Sequence, residues 1–249
     1  MSILDFNKPP IFTFSNNKLQ ALANDYKGKY NQAKPFPSVV IDNFLPEKVA
    51  NRVMKNFPKP DSDVWLDWKK RDTEHQPKKL GIGHASRLES VGPTIHNILA
   101  AFNSFPFLNF LEELTGIKNL ISDPYFHGGG LHQTLSGGKL SVHTDFNHLV
   151  SLGLYRRINV IYFLNKNWKK DFKGYLELWD EDKTKCEAKI APIFNRMVLF
   201  ETNKKTFHGH PEPLNTPVGI TRKSMAFYYY TGAPKEGELY DEKTDWVDA

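Results

Sequence analysis

The sequence predicts a mainly β protein in which helices come first and an antiparallel β core follows. Apolar residues recur at helical spacing over residues 17–30. After Ile117 the pattern changes to short runs of β-branched and aromatic residues, separated by Gly, Asn and Asp. These runs do not alternate with helical patterns, so the sequence favours an antiparallel sheet or barrel over a parallel sheet.

The N-terminal part is expected to form four helices and one strand. Ser15 or Asn16 can cap the first helix. Pro46 can occupy the first turn of the second, because the amide that proline lacks has no partner there. A β-branched run between these helices predicts the strand. The predicted helices cover 17–30, 46–54, 93–103 and 106–115, and the predicted strand covers 38–42.

Composition and length fit one globular domain. A chain of 249 residues that is 40% hydrophobic can bury a full core, and no long linker or repeat divides it. We expect a single domain over 1–249, with mostly helical support in 1–117, the β core in 118–232 and a C-terminal tail in 233–249. Neither a secretory signal nor an apolar run long enough for a membrane span is recognisable, which predicts a cytoplasmic protein without a membrane partner.

Charge and cysteine content restrict the partners. Cys186 is the only cysteine, so an intramolecular disulfide is excluded and the residue is expected to be a structural thiol. The net charge is +5, but the lysines at 69, 70, 78 and 79 are dispersed between acidic residues and read as solvated surface. The pattern therefore does not favour nucleic acid, and nothing in it specifies an oligomeric state.

One short motif carries metal chemistry. In an extended strand, His143 and Asp145 project to the same side and can bind one ion. His208, just beyond an apolar run, is the candidate third ligand. Two histidines and one carboxylate with open positions are typical of non-haem iron(II) oxygenases. His210 competes with His208 for this role, and His148 is a local alternative that we expect in the following loop.

Five segments in order resemble the 2-oxoglutarate-dependent oxygenases, in particular their prolyl 4-hydroxylase-like branch. The resemblance spans about residues 120 to 232. It covers the strand with the first two ligands, the next core strands, the segment with the distal histidine and the strand with a basic residue for the cosubstrate. These segments are 128–146, 157–165, 174–179, 195–208 and 221–230.

The resemblance implies a double-stranded β-helix, or jelly roll, buttressed by the N-terminal helices. It also implies Fe(II), 2-oxoglutarate and O2, with hydroxylation of a substrate and release of succinate and CO2. The substrate would be a prolyl residue or another amino-acid-like molecule, either peptidyl or small. Because Asp145 keeps the carboxylate ligand, halogenation is disfavoured.

The same match assigns cosubstrate-binding residues. Arg222 would hold the distal carboxylate, because guanidinium is planar and permanently charged, and Ser224 would add a hydroxyl donor. Gln133 falls near the keto-acid end, and Asn159 lies on the strand after the iron ligands. Phe163 departs from the family pattern, since several relatives have a tyrosine there that hydrogen-bonds the cosubstrate.

Three further residues are candidates for the substrate pocket: His210, Arg156 and Tyr228. Arg156 and Arg157 precede a core strand near the expected mouth, where one could bind an acidic group, although a solvated loop charge is the ordinary alternative. Alternation predicts that Tyr228 and Tyr229 point to opposite faces.

Two other functions fit the same residues. The first is a jelly-roll metalloenzyme that does not use 2-oxoglutarate, such as a cupin-like dioxygenase or a zinc enzyme, since zinc accepts the same ligands. The second is a non-enzymatic binding module in which the histidines and the aspartate are structural. Neither the exact substrate nor the position that it would be oxidised at can be read from the sequence.

Overall fold

The computed structural model describes residues 12–65, 74–83 and 85–247. Lys69 and Lys70, which were predicted to be solvated, lie outside these residues. Within the described chain, none of the helices is long and apolar enough to cross a bilayer. The α-helices are Asn16–Gln32 (α1), Glu47–Lys55 (α2), Ala85–Leu88 (α3), Pro93–Phe102 (α4) and Phe105–Thr115 (α5).

All four predicted helices are confirmed, with ends within two residues of the predicted ones. Ser15 stands at the N-cap of α1, but its side chain makes no capping hydrogen bond. Pro46 precedes the first residue of α2, and a proline occupies the first turn of both α4 and α5. The four-residue helix α3 was not predicted.

The strands form two antiparallel sheets. Their bounds are Ser38–Asp42 (β1), Lys79–Ile82 (β2), Ile121–Ser122 (β3), Gly130–Thr134 (β4), Leu140–Thr144 (β5), His148–Leu149 (β6), Leu154–Phe163 (β7), Leu176–Trp179 (β8), Cys186–Ile190 (β9), Arg196–Glu201 (β10), His208–His210 (β11), Arg222–Thr231 (β12) and Asp245–Trp246 (β13). In the described residues the larger sheet has the order β1-β10-β7-β12-β4-β2, with β3 and β6 at its margins. The smaller sheet has the order β13-β5-β11-β8-β9.

The larger sheet has two chemically different faces. Val160 and Tyr162 of β7 join the core formed with the helices, together with Phe227 of β12. Phe102 of α4 stacks on Phe227 with ring centroids 4.3 Å apart. Residues at the alternate positions of both strands face the smaller sheet, where Phe163 packs in a second apolar cluster. The helices therefore cover one face, and a cavity forms against the other.

This architecture confirms the predicted fold class, a mainly β jelly-roll core with supporting helices. The segment expected to be a C-terminal tail contains β13, which pairs with β5. The helical N-terminal part also contributes an unpredicted strand, β2, which pairs with β4. Both strands lie in chain segments that lack a long apolar run, so their pairing has no local pattern that predicts it.

A close backbone approach between β2 and β4 yields a stability prediction. Gly130 has φ +87°, and a Cβ atom there would collide with the carbonyl oxygen of Ile82. We expect Gly130→Ala to lower the free energy of unfolding by about 3 kcal/mol, measured by urea denaturation. Gly28→Ala in α1 is the matched control, because a Cβ there meets no atom within 4 Å. It should instead raise stability by about 0.5 to 1 kcal/mol, and equal losses in both proteins would contradict the collision.

Candidate metal centre

The three predicted metal ligands meet at one point between the sheets. His143 lies on β5, and Asp145 directly follows that strand. His208 lies on the neighbouring strand β11, where it pairs with His143. One ligand atom from each residue lies within 4.8 Å of the other two. Nε2 of His143 is 3.5 Å from Oδ1 of Asp145, and Nε2 of His208 is 3.3 Å from Oδ2. Both histidines are buried, so the donor set and its spacing fit a single divalent ion.

Backbone carbonyls orient the two histidine rings. Nδ1 of His143 lies 2.9 Å from the carbonyl oxygen of Ser141, and Nδ1 of His208 lies 3.0 Å from that of Thr206. A proton on each Nδ1 leaves the Nε2 lone pair directed at the common point. Burial, reinforced by the neighbouring His208, lowers the pKa of His143. This favours the neutral imidazole, which is the form that binds a metal.

Asp145 is held by two polar side chains. Nη2 of Arg156 lies 3.1 Å from Oδ2, and Nδ2 of Asn159 donates to the same oxygen at 2.6 Å. Arg156 also donates to Oδ1 of Asn159, at 2.8 Å from Nε and 2.6 Å from Nη2. Burial opposes ionisation of Asp145, but the charge of Arg156 is the main influence that holds the pKa of this carboxyl well below its ordinary value. Since both donors occupy Oδ2, Oδ1 is the less encumbered oxygen for a metal.

Arg156 does not lie where the sequence suggested. Its side chain is fully buried, so the expected solvated loop charge is wrong. The guanidinium carbon lies 3.3 Å from the ring centroid of Tyr228 and 4.9 Å from that of Phe146. Strict alternation would place Arg156 on the helix side with Ile158. A register shift between β7 and β12 instead pairs Ile158 with Tyr229 and Arg156 with Tyr230, which re-aims the arginine.

A buried cation lies at the other end of the cavity. Arg222 donates from Nε to the carbonyl oxygen of Gly174 at 2.8 Å, and its guanidinium carbon is 4.9 Å from the ring of Phe163. No carboxylate among the described residues lies within 4.0 Å of this guanidinium. Burial lowers the pKa of Arg222 to about 9, so it remains cationic at neutral pH. The site fits an anionic ligand that would supply the missing charge.

Neighbouring strands add polar groups beside Arg222. Thr134 pairs with Arg222 on one side and with Lys79 on the other. All three residues line the cavity, as does the buried Ser224. Lys79 was read as a solvated lysine in the sequence, but its position makes it the second cation of the cavity. Its strand, β2, had no sequence signal, which explains why it was missed.

Two of the remaining predictions differ from the structure. Gln133 is buried on the other face of β4, where Oε1 accepts a hydrogen bond from Thr221 at 2.6 Å. It is thus away from the cavity, because alternation turns positions 132 and 134 inward. His148 belongs to β6 rather than to a loop, and stacks on Tyr155 at 4.8 Å. Cavity-lining residues that the sequence did not single out are Lys79, His132, Thr134, Leu140, Ile161, Leu176 and Ala226.

His210 and Tyr228 do line the cavity, as predicted for both. The register of β11 against β5 shifts between His208 and His210. His208 therefore pairs with His143, whereas His210 pairs with Leu140. Burial is the main cause that lowers the pKa of His210 well below its ordinary value, with Arg222 adding to the effect. Tyr229 lies on the opposite face, where its hydroxyl donates to the carbonyl oxygen of Phe102 at 2.9 Å.

Comparison with known proteins agrees with this geometry. The family model of the 2OG-Fe(II) oxygenase superfamily matches residues 129–230, which include all three predicted ligands and Arg222. Over these residues the chain is similar to this superfamily. Together with the ligand cluster, the match indicates an oxygenase that uses Fe(II) and 2-oxoglutarate.

Solved structures extend the similarity in fold beyond the matched segment. A prolyl hydroxylase from Trichoplax adhaerens, in complex with a peptide fragment of hypoxia inducible factor, has a TM-score of 0.60 at 20% identity, covering 86% of this chain and 91% of that chain. A prolyl-4-hydroxylase from Pseudomonas putida has a TM-score of 0.50 at 16% identity, covering 86% and 98%. HygX from Streptomyces hygroscopicus, with nickel and 2-oxoglutarate bound, has a TM-score of 0.51 at 10% identity, covering 78% and 82%.

The contact between Arg156 and Asp145 predicts an effect on metal affinity. Arg156→Met removes the charge that holds Oδ2, so we expect Co(II) to bind about tenfold more weakly, measured by isothermal titration. Arg157→Met is the matched control. Arg157 is the next arginine in the chain, and its charged partner is Glu201, at 3.7 Å. Equal Co(II) affinity in the wild type and Arg156→Met would show that Arg156 does not orient the carboxylate.

Proposed function

We propose that this protein is a 2OG-Fe(II) oxygenase that hydroxylates a prolyl residue or a similar amino-acid-like substrate. Iron would be held by His143, Asp145 and His208, and the distal carboxylate of 2-oxoglutarate by Arg222. The observation that carries the proposal is one cavity that contains both a three-ligand cluster and a buried arginine without a carboxylate partner among the described residues.

The buried arginine distinguishes this proposal from a zinc or cupin-like site. Such a site needs the three ligands but has no requirement for a desolvated cation at the opposite end of the cavity. Leaving Arg222 uncompensated is costly, whereas a carboxylate bound to its planar donors offsets that cost. Ser224 and Thr134 supply hydroxyl groups beside it. These groups replace the tyrosine hydroxyl that is absent at Phe163.

The protein residues would bind and orient, while the bound iron and cosubstrate supply the oxidising chemistry. The two histidines and Asp145 would hold the ion, and a donor set of this kind leaves coordination positions for other ligands. Arg222 would fix the far end of the cosubstrate, which sets the direction of its keto-acid end toward the ligand cluster. Arg156 and Asn159 would keep Asp145 ionised and correctly turned.

The surroundings of Asp145 favour a substrate whose reacting part is uncharged. Arg156, the cation expected to bind an acidic substrate group, is already paired with Asp145 and stacked on Tyr228. Leu140, Ile161 and Ala226 line the same cavity beside Tyr228, and their apolar side chains suit a saturated ring or an aliphatic side chain. The prolyl hydroxylases among the structural neighbours support a prolyl substrate. A cytoplasmic location remains a prediction from the sequence.

An anaerobic titration tests the proposal without knowledge of the substrate. Fe(II) and 2-oxoglutarate are added to the apo-protein, and the visible charge-transfer band of the chelate is followed. We expect a saturable band that is lost in His143→Ala, because one of the three proposed protein ligands is removed. Metal binding without a band would instead support the zinc or cupin-like alternative. A screen of proline-containing peptides against free proline, scored by succinate release, would then separate the substrate classes.

Arg222 provides a separate prediction about the cosubstrate. In Arg222→Met, the 2-oxoglutarate concentration that gives half of the maximal band should rise roughly thirtyfold, from a loss of about 2 kcal/mol. Fe(II) affinity should stay unchanged, because Arg222 is not a metal ligand. Lys223→Met is the matched control, since Lys223 is the adjacent cation on β12 and bonds to Thr221. An unchanged half-saturation in Arg222→Met would place the carboxylate elsewhere.

A further inference from the structure

The C-terminal segment lies outside the matched family segment, yet it contacts the proposed metal centre. Asp245 and Trp246 of β13 pair with Thr144 and His143 of β5. The amide of Val247 then donates to the carbonyl oxygen of Val142 at 2.9 Å. Without β13, β5 would be an edge strand of the smaller sheet in the described chain. At His143 this strand is therefore paired on both sides, with β11 and with the C-terminal segment.

Trp246 covers one side of the His143 ring. In an antiparallel pair, directly opposed residues project to the same face, so the indole and the imidazole lie side by side. Their ring centroids are 4.8 Å apart with an angle of 40° between the planes. The indole also contacts His75, with ring centroids 4.6 Å apart and an angle of 32° between the planes. Trp246 is partly buried.

Several polar contacts fix the segment in place. The side chain of Asn147 donates to the carbonyl oxygen of Leu239 and accepts from the amide of Asp241, each at 2.8 Å. Lys204, in the connection that precedes His208, donates to the carbonyl oxygen of Lys243 at 3.0 Å and to Asp245 at 2.9 Å. The segment is thus tied to the chain on both sides of the ligand cluster, and its position relative to His143 is well defined.

We propose that Trp246 is a positioning residue of the metal centre. It limits the rotation of the His143 ring and shields that ring from water, so that Nε2 stays directed at the ion. The carbonyl oxygen of Ser141 constrains the same ring through a single hydrogen bond at Nδ1. One hydrogen bond does not fix the tilt of the ring plane, so the packing of Trp246 would restrict that tilt. Groups that orient a ligating histidine raise the affinity for the metal. This inference rests on the proposed ligand set of His143, Asp145 and His208.

The test is Co(II) binding to the full-length apo-protein, measured by isothermal titration and by the visible absorption spectrum of the bound ion. Trp246→Ala should bind Co(II) roughly tenfold more weakly and should alter the spectrum, because the His143 ring is less constrained. Trp246→Phe retains a ring against His143 and should stay within about threefold of wild type. Trp168→Ala is the matched control, since that indole donates to the carbonyl oxygen of Lys173 and packs edge-to-face against Phe172.

Each outcome has a distinct meaning. Wild-type affinity in Trp246→Ala would overturn the positioning role while leaving the metal centre intact. Trp246→Phe that binds as weakly as Trp246→Ala would also overturn it, because the retained ring would then have no effect. If the wild-type protein itself does not bind Co(II), the proposed ligand set is wrong, and both proposals fall with it. The thermal unfolding temperature of each apo-protein shows whether a variant is folded. If Trp246→Ala is misfolded, the affinity of Trp246→Phe for Co(II) decides whether the ring at this position acts on the metal centre.

Discussion

The alternation of side chains along β7 and β12 is the constraint on which the rest of the structure depends. These long central strands are neighbours, and each turns one set of residues to the helices and the other set to the smaller sheet. The helix side is apolar and aromatic, as in the stack of Phe102 on Phe227. The other side carries Asn159, Ser224 and Arg222 into a cavity. One pair of strands thereby anchors the core and supplies the polar wall of the site.

Charge placement inside this cavity follows a simple electrostatic rule. At one end Asp145 and Arg156 compensate each other over 3.1 Å, and Asn159 donates to the carboxylate and accepts from the guanidinium. At the other end Arg222 has no comparable partner among the described residues. A buried cation of this kind is tolerated when function supplies an anion. The asymmetry therefore gives the cavity a direction, from the end with Asp145 and the two histidines to the cationic end with Arg222.

The site also depends on parts of the chain that are remote from the ligand motif. Lys79 reaches the cavity from β2, and Trp246 reaches His143 from β13. Both strands are short and lie at the margins of the sheets, where pairing is decided by the neighbouring strands rather than by their own residues. The segment matched by the family model contains the three clustered residues and Arg222. The flanking segments add Lys79 to the cavity lining and place Trp246 against His143.

How far the site could be predicted depended on whether each residue obeys local geometry. His143 and Asp145 are two residues apart at the end of a strand, so the period of the strand alone places them together. The resemblance to a family then added His208 and Arg222, and the structure brings both to the same cavity. The prediction that Gln133 lines the cavity is wrong, because the alternation of β4 turns His132 and Thr134 into the cavity and Gln133 away from it.

By itself, the sequence determined the helices, the antiparallel β core and the pairing of His143 with Asp145, because these follow from periodicity and from residue chemistry within short segments. Only the tertiary structure decided the roles of Arg156 and Trp246. A register shift between two strands turns Arg156 inward, and a strand pairing across 103 positions of sequence brings Trp246 to His143. Such contacts depend on how distant segments align, and no local pattern encodes that alignment.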